Sequence, residues 1–292
     1  MPVTRGAQPF PIIEAFGYSV DAKSKPARNA KKERLCPFAE TACEKFKQYG
    51  YGYCAVTYSA DDDQGIRRSY AVCDHRLDGA PVLHAIRDHF KDRASRVRLI
   101  PEIVLHKPRR SFDFVAVTTT GSDIDDVIAI ETQAIDIRGG GVGPAWQAWF
   151  EGKPEQWRER FSEEAARKGR KDTVAYGVNM ANIYKRLGLQ VAEKGTFLKR
   201  IGVPFYVVMQ DRPFQYLRTR IAFQETPTQW DITFITFDYT GEGNAEGALE
   251  FKHMTTSRTT LDAYMAALSF AELPDDNLRG HFLERVKSKA GL

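Results

Sequence analysis

The stretch that decides the fold is "DVIAIETQAIDI", residues 126–137. Val127, Ala129 and Ile135 suit the buried face of a β-strand, and side chains along a strand alternate between its two faces. The same alternation puts Glu131 and Gln133 side by side on one face, in the middle of the run. A carboxylate and an amide inside an apolar strand cost free energy unless something binds them. The segment "SFDFVAVTT" (111–119) also reads as a strand, and only a short loop separates the two. A hairpin made of them brings Asp113 to the same end of the sheet as Glu131. Two carboxylates from adjacent strands make a site for a hard divalent cation. Mg2+ takes one or two protein carboxylates and keeps waters and phosphate oxygens as its other ligands.

Outward from the hairpin, "RVRLIPEIVLH" (96–106) predicts a further strand. Pro101 makes it an edge strand or a broken one, and Glu102 is an additional acidic candidate. "APVLHAIRDHF" (80–90) has helical spacing, with Val82, Leu83, Ile86 and Phe90 apolar. "VPFYVVMQD" (203–211) is short and apolar, as in a buried parallel or mixed sheet. Helices are expected over 142–161, interrupted at 152–154, and from Asp211 as a cap, with Pro213 in the first turn. Strands at 230–240 and 248–256 and two helices close the chain. The order predicts an α/β fold, a mixed sheet flanked by helices with additions at both ends.

The chain has 292 residues, enough for one large domain or two modest ones, with 42% hydrophobic and 27% charged residues. That composition is globular, and no apolar run reaches the roughly 18 residues of a membrane helix. The N-terminal segment lacks the features of a secretory signal, so the cytoplasm is the default expectation and no membrane partner is expected. Net charge is +4, and "KSKPARNAKKER" places six Lys or Arg in residues 23–34. Such runs suit nucleic-acid phosphates, although one alone is as often a solvated tail.

Only four cysteines occur, Cys36, Cys43, Cys54 and Cys73, all within residues 36–73. In a reducing compartment such clustering suggests a metal rather than disulfides. Two cysteines on a hairpin (Cys54, Cys73) and two more on a preceding helix can converge on a tetrahedral site. The alternative is small buried hydrophobes. After the central strand, "RGGGVG" (138–143), led by Arg138, runs into a helix. It lacks the Lys-Ser/Thr ending of a P-loop, but its glycines allow close approach of a phosphate.

Asp113 followed by Glu131-Thr132-Gln133 resembles the core of the PD-(D/E)xK nucleases, in which a central hairpin presents Asp and (Asp/Glu)-x-Lys to a divalent metal. With the cysteines upstream, "IAIETQAID" is similar to the NotI family of type II restriction enzymes, over roughly residues 30–210. Two departures stand out: Gln133 where Lys is usual, and Phe112 rather than Pro before Asp113. The resemblance implies a PD-(D/E)xK restriction-endonuclease-like mixed sheet with an N-terminal four-cysteine element. It divides the chain into a basic arm (1–35), the cysteine element (36–75) and a nuclease core with C-terminal additions (76–292). It further implies a bacterial, cytoplasmic homodimer that hydrolyses double-stranded DNA at a GC-rich palindrome. Asp113 and Glu131 would hold Mg2+, with Glu102 less directly involved. Gln133 would orient water or a phosphate oxygen but, being neutral, would not replace the lysine's charge. Cys36, Cys43, Cys54 and Cys73 would hold structural iron or zinc. Arg109, Arg110 and Arg138 are candidate DNA contacts. A structure-directed repair or junction nuclease and a non-catalytic, metal-stabilised DNA-binding protein are the competing expectations.

Overall fold

The computed structural model describes residues 9–58, 67–107, 109–139, 141–171, 174, 176–269 and 278–290. The N-terminal part contains β1 (Ile12–Ala15), β2 (Tyr18–Ser19), α1 (Lys25–Glu33), β3 (Leu35–Cys36), β4 (Thr41–Ala42), α2 (Glu44–Tyr49), β5 (Tyr53–Tyr58) and β6 (Arg68–Ala71). β2, β1, β5 and β6 form one small sheet in that order. Then come α3 (Ala80–Phe90), β7 (Arg98–His106), β8 (Arg109–Thr120) and β9 (Asp123–Gln133). The chain continues through β10 (Ile137–Gly139), α4 (Gly143–Phe150), α5 (Trp157–Arg167), β11 (Tyr176–Val178), α6 (Met180–Asn182) and α7 (Gly188–Arg200). It ends with β12 (Phe205–Gln210), α8 (Asp211–Arg220), β13 (Ile232–Gly243), β14 (Leu249–Thr259), α9 (Leu261–Leu268) and α10 (Leu278–Ala290).

The central sheet has six strands in the order β14-β13-β12-β9-β8-β7. β12 runs parallel to both of its neighbours, and the other pairs are antiparallel, so the sheet is mixed as expected. β12 is buried along its whole length, which is why it reads as continuous apolar sequence. Its alternate residues feed two cores. Tyr206 and Val208 join Ile128 and Ile130 against Val82, Ala85, Ile86 and Phe90 of α3. Phe205, Val207 and Met209 join Ala129 in the larger core, with Val191 and Leu198 of α7. Odd-numbered residues of β9 therefore face α7, and Glu131 is among them. β7 is the edge strand, with Leu99, Ile100 and Val104 exposed.

Four expectations need correction. The segment up to residue 35 is not a separate arm. From residue 9 it supplies β1, which pairs with β5, so it belongs to the same sheet as the cysteine region. Its basic run is helix because Ser24 caps α1, accepting from Ala27 N at 3.2 Å, with Pro26 in the first turn. No helix carries two cysteines: Cys36 lies in β3, and Cys43 is the residue before α2. β9 ends at Gln133, so Ile135 lies beyond the strand, where its N–H bonds to Ala71 O. α8 begins at Asp211, with Gln210 as the capping position. Residues 1–8 and residues 59–66, within the connection between Cys54 and Cys73, lie outside the described residues.

Candidate active site

β8 and β9 pair from Thr120↔Asp123 to Phe114↔Ile130 and then separate. One more step of that register sets Asp113 opposite Glu131, which places the two carboxylates on one face. Beyond Phe114, β8 stays paired only with β7, so the N–H of Thr132 has no partner from the β8 backbone. The Asp113 carboxylate accepts it instead at 2.9 Å, and the Thr132 hydroxyl at 3.3 Å. On the other side of β8, Pro101↔Phe114 and Ile103↔Phe112 bracket Glu102, which falls opposite Asp113. Glu102 has φ +51°, a left-handed backbone that a glutamate adopts only under constraint. Three neighbouring strands thus contribute one acidic residue each at the same level of the sheet.

Glu131 is 5% exposed and accepts two hydrogen bonds from the Lys194 ammonium, at 2.5 and 2.6 Å. Burial pushes its carboxyl up to about 7, and the nearby Asp113 charge adds to the rise; Lys194 opposes both. Burial likewise raises Asp113, against the Thr132 N–H and Lys194, with Asp74 adding repulsion. Gln133 donates from its amide to Ala134 O at 2.5 Å. These groups form part of the lining of an 820 Å³ cleft, together with Glu102, Asp74, His75 and Asp78. His75 Nδ1 lies 2.7 Å from Asp78, whose hydrogen bond raises the imidazole's proton affinity.

Lys194 is the residue that the sequence reading missed. It arrives from α7, sixty-three positions after Glu131. Arg186, Gln190 and Lys194 all line the cleft, and a spacing of four puts them on one helical face. A π-helical turn at Ile183–Leu187 leads into α7. The signal was a lysine at a core position: Val191, Gly195 and Leu198 flank Lys194 at the spacing of a buried stripe.

The other expected site residues are spread around this centre. Arg109 starts β8 opposite His106 at the edge of the sheet. Arg110 reaches Glu193 at 3.4 Å and lies over Phe197, fastening β8 to α7. Arg138 lies on β10, paired with Gly177. None of the three lines the cleft. Gly140, in the glycine-rich turn, lies outside the described residues.

The four cysteines are free thiols in the N-terminal part. Gly17 N–H approaches Cys54 Sγ at 3.4 Å, and backbone N–H groups of Phe38 and Ala39 serve Cys36. Burial pushes Cys73 up to about 12 and raises Cys36 and Cys54. Among the described residues, no group of three or more His, Cys, Asp or Glu is drawn together as it would be around a metal ion. The donor chemistry suits a thiophilic metal; the spacing does not, so binding would require the cysteines to close up and lose protons. The Asp113–Glu131 pair is a different case. Two carboxylates repel each other there, with the Lys194 ammonium bonded to Glu131 and its charge felt at Asp113, a donor set that fits a small hard cation completing its shell with water.

Comparison with protein-family models and with curated proteins finds no match for this chain. Among the described residues, no helix is long and apolar enough to cross a membrane.

Proposed function

We propose that the chain is a Mg2+-dependent endonuclease of the type II restriction kind, acting on double-stranded DNA. The observation that carries this reading is the convergence of Asp113, Glu131 and Lys194 in one open cleft. Asp113 and Glu131 would hold Mg2+, which when bound polarises a phosphoryl group and lowers the pKa of an attacking water. Lys194 supplies the positive charge that Gln133 lacks, and its ammonium suits a phosphate oxygen as well as it suits Glu131. Gln133, committed to Ala134 O, orients rather than transfers a proton. Asp113 keeps its geometry through the Thr132 N–H.

Duplex DNA as substrate, a GC-rich palindrome, a homodimer and a bacterial cytoplasm all rest on the resemblance. The exposed Lys25, Arg28 and Lys32 of α1 suit a polyanionic partner such as DNA. Structural iron or zinc in the cysteine cluster belongs to the same reading. Elemental analysis of purified protein tests it: about one such metal per chain, lost in Cys54→Ser, would show that the cysteines close up around an ion. Metal-free wild-type protein of normal stability would leave the cysteines as packing residues.

The direct test is digestion of DNA of known sequence with Mg2+ and with EDTA. Discrete fragments with Mg2+ and none with EDTA are expected. Preference for branched DNA would shift the reading to a structure-directed nuclease. Tight, salt-sensitive binding without cutting would leave a DNA-binding protein.

A further inference from the structure

We infer that Asp74, carried by the cysteine region, is a third carboxylate of the cation site and acts on the ion through its water shell. The inference rests on the cation site of the proposed nuclease and extends it to a residue outside the hairpin. Asp74 follows Cys73 directly and opens a short 3-10 turn, Asp74–Arg76. Its Oδ1 accepts the Ala134 N–H at 3.0 Å, just past the end of β9. Ile135 N–H, one residue on, bonds to Ala71 O at 3.0 Å. The two bonds clamp the end of the catalytic strand to the cysteine region. They also fix the Asp74 carboxylate at the wall of the cleft that holds Asp113, Glu131 and Gln133.

The three carboxylates are not drawn together as direct ligands of one ion. Mg2+ dehydrates reluctantly, however, and a hydrated ion held by Asp113 and Glu131 offers water protons to acceptors further out. A carboxylate held in place by a backbone N–H is a suitable acceptor, and outer partners of this kind set metal affinity. On this account the cysteine region supplies part of the catalytic cleft itself, beyond any stabilising role.

Asp74→Asn separates the two things Asp74 does. The amide oxygen still accepts from Ala134, while the charge is lost. Titration of the full-length protein with Mn2+, followed by calorimetry without DNA, is expected to show about tenfold weaker binding in Asp74→Asn. Thermal unfolding in EDTA should be unchanged, and Asp74→Glu should recover part of the affinity. Wild-type affinity in Asp74→Asn would overturn the inference and leave the hairpin site intact. Failure of the wild-type protein to bind Mn2+ would overturn both the inference and the cation site. Wild-type binding of Mn2+ without DNA cleavage would overturn the nuclease reading alone, and the weakened Asp74→Asn would still support the third carboxylate.

Discussion

On the proposed nuclease reading, Glu131→Gln and Asp113→Asn will each lower DNA cleavage by more than about a hundredfold while leaving DNA binding in place. The two substitutions are nearly isosteric, but Glu131→Gln also takes the counter-charge from the buried Lys194, so thermal unfolding of each variant is compared with wild type to separate lost chemistry from lost fold. Asp113→Asn retains an oxygen to accept the Thr132 N–H, which the Asp113 carboxylate accepts at 2.9 Å. Fragment yield on a plasmid, beside a filter-binding or mobility-shift titration, separates the two quantities. Cleavage within a few fold of wild type in either variant would remove the acidic pair from the mechanism. Loss of binding together with cleavage would place the pair in DNA recognition instead.

Lys194→Met will destabilise the fold in a pH-dependent way, by about 1.4 kcal/mol more at pH 8 than at pH 5. The sign follows from Glu131. Its carboxyl is raised to about 7 in the folded protein, above its ordinary 4.5, so the folded state favours the protonated form. That contribution is fully present below pH 4.5 and is lost as pH rises through 7. Without Lys194 the carboxyl rises further, because the one group that opposed burial and Asp113 is gone. At pH 5 the variant buries a neutral acid. At pH 8 it must bury an unpaired carboxylate or take up a proton, at about 1.4 kcal/mol per pH unit. Urea unfolding at the two pH values measures the difference. An equal loss at both would show that Lys194 contributes packing alone.

The sheet was legible because its pattern is local. β12 reads as buried because it has apolar side chains on both faces, and Pro101 marks an edge strand. The hairpin and its acidic pair followed from alternation along β8 and β9 together with a short loop. The cation facing that pair was not legible as part of the site. Lys194 is separated from Glu131 by β10, α4, α5, β11 and α6, and tertiary packing of α7 alone brings them together. Asp74 was hidden for the same reason, since its bond to Ala134 spans sixty residues. The N-terminal segment was misread as an arm because its charge drew attention away from the Ser24 cap and Pro26. The pairing of β1 with β5 is a long-range fact that composition does not carry.

The backbone of β7 bears on how two copies of the chain could associate. Its outer rim carries Leu99, Ile100 and Val104, the kind of apolar border that invites another strand. Pro101 offers no amide hydrogen there, and the left-handed turn at Glu102 interrupts the pleat one residue later. A continuous ladder cannot form across that break, so the sheet is not prolonged through the middle of this rim. Pro101 and Glu102 also line the cleft, so the break in the edge strand lies where the sheet borders that opening.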